Sequence, residues 1–280
     1  MLIGIISIIS AAVAAGLCFW TGAYQNLNWI WQLPVGFVGS FLMLAIFYFL
    51  FLWFVCAIVN VDKPQEKDSK FYRAITNLTA KTAMQILLTK IHTEGVEKLP
   101  KEGRFLLVSN HIHDVDPVVL MATFPKSQLA FISKRENDQK FLVGKIMHKL
   151  LCQLINREND REALKTILKC IQIIREDKAS IAVFPEGYTS LDGLLHPFRS
   201  GVFKIAQKAN VPIVVCTLQN TNQCFANAKK LKRTHVYLHL LAVISAEEQK
   251  GVTAVELGER IHAMMAEDLG PDLVLREETT

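Results

Sequence analysis

Apolar and polar positions divide the chain near residue 60. Ahead of that point lie two long apolar runs, residues 2–20 and 35–59. Each is long enough to cross a hydrocarbon core about 30 Å thick. Between them Tyr24, Trp29 and Trp31 stand among Asn and Gln in a short uncharged turn that suits a membrane interface. Residues 63–70 form a polar linker, and 71–89 repeat apolar residues at helical spacing. That face suits packing on a neighbouring domain or lying on a membrane. From Gly95 onward short apolar runs alternate with helical patterns. Strands are predicted at 104–109, 129–133, 153–156, 180–184, 211–218 and 235–244, and helices at 117–124, 139–151, 160–175, 201–209 and 252–268. This alternation predicts an α/β domain with a mixed, largely parallel sheet flanked by helices. Three segments follow: a membrane helix hairpin over 1–60, a linker with an amphipathic helix over 61–90, and the α/β domain over 91–280.

Charge sharpens that division. Residues 1–60 contain no Asp, Glu, Lys or Arg, so the net charge of +5 belongs wholly to the rest of the chain. A modest basic excess suits an anionic membrane surface or an anionic substrate. No motif suggests nucleic acid as a partner. The first run has no basic segment ahead of it and reads as a retained helix rather than a cleaved signal. Lys63, Lys67, Lys70 and Arg73 follow the second run and mark the cytoplasmic side. The expectation is a hairpin integral to the cell membrane, with the α/β domain in the cytoplasm. A re-entrant pair dipping into one leaflet fits the same hydropathy. Six cysteines show no C-x-x-C pair and read as reduced packing residues. The cluster Lys229, Lys230, Lys232 and Arg233 fits either contact with anionic lipid or a solvated loop.

The chemistry concentrates in Ser109-Asn110-His111-Ile112-His113-Asp114-Val115-Asp116-Pro117, between a predicted strand and a predicted helix. At such a turn His111 and Asp116 can meet at the mouth of a sheet, where α/β folds place their sites. A neutral imidazole there can take a proton from an alcohol while the carboxylate fixes its tautomer. Asp116 before Pro117 also reads as a helix N-cap with proline at N1. A second stretch, Ile181-Ala-Val-Phe-Pro-Glu186-Gly187-Tyr188-Thr189-Ser190, is a buried strand ending in a turn that presents a carboxylate. Val211-Pro-Ile-Val-Val is a third strand, introduced by proline. Lys134 and Arg157 stand at predicted strand ends, either converging on an anion or as solvated surface charge. His111-x-His113-Asp114-x-Asp116 is rich in metal-ligand types, which keeps a metal-dependent hydrolase open. Val115 and Asp116 break the usual His-x-His-x-Asp-His pattern. His235 and His239 share a strand face with Tyr237, are expected to have no acidic partner nearby, and read as structural. No Gly-x-Ser-x-Gly nucleophile elbow is present.

In order and spacing these stretches resemble the glycerolipid acyltransferase family over about residues 90–220. Its Asn-His-x4-Asp motif corresponds to Asn110-His111 and Asp116. A Lys-x-Glu, glycine and Ile-Asp-Arg element corresponds to Lys134-Arg-Glu136, Gly144 and Ile155-Asn-Arg157. Phe-Pro-Glu-Gly-Thr-Arg-Ser corresponds to Phe184-Pro-Glu186-Gly187 and Ser190, Phe-Lys-x-Gly to Phe198-Arg199-Ser-Gly201, and Val-Pro-Ile-Val-Pro to Val211-Pro212-Ile213. The resemblance implies transfer of an acyl chain from acyl-CoA or acyl-carrier protein to 1-acyl-glycerol-3-phosphate, giving phosphatidate by single displacement. His111 and Asp116 are then catalytic, and Asn110, Lys134, Arg157, Glu186, Gly187 and Arg199 bind substrate. No metal or cofactor is implied; the acyl thioester is a co-substrate, and membrane lipid is the partner. Three positions depart from the family: Thr189 replaces its arginine, with Tyr188 in place of threonine; His113 stands where serine is common; and Asn156 replaces aspartate. Another lysolipid or alcohol acceptor therefore stays open, as does a scaffold that retains the fold without activity. The intact His111, Asp116 and Glu186 argue against that last reading.

Overall fold

In the computed structural model, which describes residues 2–157 and 159–275, the chain forms two units, Met1–Asp62 and Lys63–Thr280. The last five residues of the expected 91–280 segment lie outside the described residues. The first unit is a pair of helices, α1 (Leu2–Trp20) and α2 (Trp29–Ala57), both apolar and long enough to span a bilayer. Small residues form their seam: Ser10, Ala14 and Cys18, four apart on α1, are buried with Ser40 of α2. A Cβ on Gly36 would stand 3.3 Å from Ala14 Cα. This close backbone approach is how apolar helices gain contact where hydrophobic burial no longer drives association. Helix α2 starts before the predicted run because Pro34, which looks like a boundary, is held inside it.

The second unit begins with α3 (Lys70–Ile86) and the edge strand β1 (Thr89–Glu94). It continues through β2 (Leu106–Ser109), α4 (Asp116–Thr123), β3 (Leu129–Lys134), α5 (Phe141–Lys149), β4 (Gln153–Ile155), α6 (Asp160–Arg175) and β5 (Ser180–Val183). Then come α7 (Lys204–Ala209), β6 (Ile213–Gln219), α8 (Cys224–Lys229), β7 (Thr234–Ile244) and α9 (Ala254–Leu269). One seven-stranded sheet runs in the order β1-β7-β6-β2-β5-β3-β4. Among the described residues only the β6–β7 pair is antiparallel, with a bulge opposite Val215 and Cys216. Strands β6, β2, β5, β3 and β4 therefore all point the same way. The predicted mixed, largely parallel sheet is the one observed.

Burial follows the strand period. Leu106, Val108, Ile213 and Val215 face one side, against Cys170, Ile171 and Ile174 of α6, Ile205 of α7, and Leu257, Ile261 and Met265 of α9. Leu107, Val214, Cys216 and Leu218 face the other, against Met84 of α3, and Val119 and Leu120 of α4. Each such side chain contributes about 1.5–3 kcal/mol by leaving water. Helix α3 adds a buried ion pair: Arg73 meets Asp68 at 2.6 Å and donates to the Leu129 carbonyl at 2.7 Å. Arg73, counted above among the cations marking the cytoplasmic side, is thus part of the core. Strand β1 was not predicted. Its sequence, Thr-Lys-Ile-His-Thr-Glu, is almost wholly polar, as suits an edge strand.

Candidate active site

The co-directed strands deliver their carboxyl ends to one rim of the sheet, and the motif residues lie on it. His111 and Asp116 follow β2, Lys134 ends β3, Arg157 follows β4, and Glu186 and Gly187 follow β5.

Between β2 and α4 the chain folds back around one carboxylate. Asp116 is fully buried, and its Oδ2 accepts from the Ile112 and His113 amides and from His111 Nδ1, each at 2.8 Å. The Thr221 hydroxyl donates to Oδ1. Asp116 opens α4 but turns away from that helix, so it is a hub for the preceding loop rather than an N-cap. Because it can only accept from these donors, His111 carries its proton on Nδ1 and leaves Nε2 as the acceptor. Phe184 fixes the ring from one face, stacked with centroids 4.1 Å apart.

The turn after β5 fastens the same histidine from behind. Glu186 Oε1 accepts from the His111 amide at 2.7 Å, while Oε2 accepts from the Ser190 hydroxyl and from the His196 amide at 3.1 Å. The Ser190 amide returns a bond to the His111 carbonyl at 2.8 Å. Burial pushes the Glu186 carboxyl above its usual value, against the opposing effect of these three donors. The resemblance assigned Asn110 and Glu186 to substrate, but both are buried and engaged with protein groups. Asn110 is clamped to the backbone of Leu218 on β6.

The cations sit across that rim. Arg157 is half-buried, and burial together with the nearby charge of Arg199 holds its guanidinium below its ordinary value, with Glu136 opposing. Lys134 is exposed at the end of β3, beside Ile155 of β4 in the ladder. Gly187 has φ of 84°, and a Cβ there would stand 3.0 Å from Arg199 Cδ and Nε; the missing side chain is what lets Arg199 cross the turn. Gly144 is required for the same kind of reason, since its Cβ would stand 2.2 Å from the Asp138 carbonyl oxygen. Asn156 donates to Glu162 at 3.1 Å, where the family aspartate would oppose a like charge.

Sequence reasoning missed three contacts. Thr189, at the family's arginine position, has its hydroxyl 3.0 Å from His111 Nε2. Its motif position pointed to it, though not to this partner. Thr221 and Phe184 gave no signal of their roles. His113 uses its Nδ1 on the Val115 amide at 3.2 Å and packs beside Phe225. With Asp116 turned inward and His111 Nδ1 committed, the ligand-rich stretch does not converge. Among the described residues no group of three or more His, Cys, Asp or Glu is arranged to hold a metal. Burial pushes the Cys152 thiol to about 11 and the Cys170 thiol to about 12, so neither is a nucleophile near neutral pH. His239 does have acidic partners: Asp268 of α9 at 2.9 Å and Glu94 of β1 at 3.9 Å, both brought in by the fold.

Residues 90–219 match the family model described as Acyltransferase. A probable 1-acyl-sn-glycerol-3-phosphate acyltransferase of Mycoplasma pneumoniae is 32% identical over 62% of this chain and 64% of its own length. The chain thus spans just under two thirds of that relative. A 1-acyl-sn-glycerol-3-phosphate acyltransferase of Borreliella burgdorferi is 29% identical over 59% of this chain and 68% of its own. The crystal structure of the acyltransferase PlsC from Thermotoga maritima shares the fold, with a TM-score of 0.62 over 83% of this chain and 91% of its own, at 20% identity.

Proposed function

We propose that the chain is a member of the acyltransferase family and that its reaction is transfer of an acyl chain from a thioester to 1-acyl-glycerol-3-phosphate, giving phosphatidate. The observation that carries this reading is the His111–Asp116 pair at the carboxyl rim of the sheet, with Arg157 and Arg199, close enough to influence one another, in the segments that follow β4 and β5.

In this mechanism His111 Nε2 takes the proton of the acceptor hydroxyl as its oxygen attacks the thioester carbonyl. The C–O bond forms, the C–S bond breaks, and the proton passes from His111 to the departing thiolate. Asp116 holds the imidazole and stabilises its protonated form. Arg157 and Arg199, with Lys134, receive the acceptor phosphate; two neighbouring guanidinium groups are poorly accommodated until an anion joins them. Gly187 keeps Arg199 in place, while Asn110 and Glu186 hold the His111 turn. The step uses no cofactor, since acyl-CoA or acyl-carrier protein enters as co-substrate. General-base assistance supplies about 10²–10⁴-fold, and holding alcohol and thioester together supplies much of the remainder.

Both acceptor and product partition into lipid. The paired apolar helices α1 and α2 suit an integral anchor, with the α/β unit on the cytoplasmic side. The test is turnover of purified full-length protein with acyl-CoA and with acyl-carrier protein, against 1-acyl-glycerol-3-phosphate and other lysolipids. His111→Ala should lose at least about a hundredfold with an unchanged thermal transition. Near-wild-type turnover in the folded variant would refute the general-base role.

A further inference from the structure

In the proposed transfer, the place beside His111 Nε2 belongs to the acceptor hydroxyl. Here the chain fills that place itself. Thr189 Oγ1 lies 3.0 Å from Nε2, and His111 Nδ1 lies 2.8 Å from Asp116 Oδ2. Hydroxyl, imidazole and carboxylate in that order form the relay that turns an alcohol into a nucleophile, whatever fold carries it.

The placement is built rather than incidental. Ser190, the next residue, is tied to the His111 turn by its own amide and, through Glu186, by its side chain. The Thr189 and His111 turns are therefore tied together, and Phe184 stacks on the imidazole. Threonine also presents a secondary alcohol, the same class as the free C2 hydroxyl of 1-acyl-glycerol-3-phosphate. A thioester carbonyl within reach of one is within reach of the other.

We propose that, when no acceptor is bound, Thr189 accepts the acyl chain and water releases it, so that the protein also acts as an acyl-thioester hydrolase. The proposal rests on the thioester donor of the preceding section. In the first step the Thr189 proton moves to His111 Nε2 and Oγ1 bonds to the carbonyl carbon. The C–S bond breaks and the thiolate takes the proton from His111. In the second step water gives a proton to the same nitrogen and its oxygen bonds to the carbonyl carbon. The Thr189 ester bond then breaks, and Thr189 recovers its proton from His111. The products are a free fatty acid and a thiol. An incoming lysolipid hydroxyl competes with Thr189 for Nε2.

The experiment mixes full-length protein in detergent with acyl-CoA or acyl-carrier protein and no acceptor. Free thiol carrier is followed by chromatography, and acid-quenched protein by intact mass and peptide mapping. Wild type and Thr189→Ser are expected to release thiol continuously. Any trapped adduct should map to residue 189 and resist neutral hydroxylamine, as an oxygen ester does. Thr189→Val, of nearly the same shape without the hydroxyl, should lose the adduct and at least about tenfold of the acceptor-free release. Transfer to 1-acyl-glycerol-3-phosphate is measured in the same preparations. Transfer by wild type, with acceptor-free release equal in wild type and Thr189→Val, would overturn this proposal and leave the proposed transfer standing. Thr189-dependent release without transfer would support it and overturn the acceptor. Neither activity would overturn both.

Discussion

Asn110 and Leu218 hold each other at two points. The Leu218 amide donates to Asn110 Oδ1 at 2.7 Å, and Asn110 Nδ2 donates to the Leu218 carbonyl at 2.9 Å. One side chain thereby completes the ladder between the end of β2 and β6, immediately before His111. Asn110→Asp keeps the acceptor and replaces the donor with a buried oxygen facing a carbonyl. The loss should be about 2 kcal/mol or more, seen as a fall in Tm of about 4–8 °C. An unchanged Tm would show the clamp to be dispensable.

Arg157 gives a prediction about acceptor charge. A charge-assisted contact to phosphate is worth about 1.5–3 kcal/mol. Arg157→Ala should therefore lower kcat/KM for 1-acyl-glycerol-3-phosphate at least about tenfold, with a smaller effect on uncharged monoacylglycerol. Equal losses on both acceptors would remove Arg157 from the phosphate site.

Glu186 gives a prediction about pH. Burial raises its carboxyl above the ordinary value of 4.5, so the folded chain holds this proton more tightly than the unfolded chain. The stabilisation is full below about pH 4.5 and is lost as pH rises through the raised value. Glu186→Gln removes that titration. Tm followed from acid toward neutrality should fall in wild type relative to the variant just above about pH 4.5. Parallel curves would exclude Glu186 as the source.

Topology can be tested at Lys67, an exposed position after α2. A cysteine placed there should react with a membrane-impermeant maleimide only from the cytoplasmic face of sealed vesicles. Labelling from the opposite face alone would invert the proposed orientation.

Elements with an apolar face were legible in the chain. Helix α1 spans the first apolar run, and each predicted strand corresponds to an observed one within about two residues. What escaped had no such face. Polar β1 is held by backbone pairing to β7, and α8 is a short helix of six residues. At the site the His111–Asp116 partnership was readable because spacing and a strand-to-helix turn suffice to suggest it. The fourth group on Asp116, Thr221, follows β6, beside β2 in the sheet but 105 residues away in the chain, and no local pattern marks it. The inward turn of Glu186 and Asn110 was equally hidden. A motif tells which residue types recur but not whether a carboxylate faces ligand or backbone.

Gly187 carries a consequence out of proportion to its size. A side chain on residue 187 would begin 3.0 Å from Arg199 Cδ and Nε and crowd the arginine. Gly187→Ala changes no charge and deletes no hydrogen-bonding group, yet it should displace the guanidinium. In a kinetic screen it would mimic the loss of an arginine twelve residues downstream.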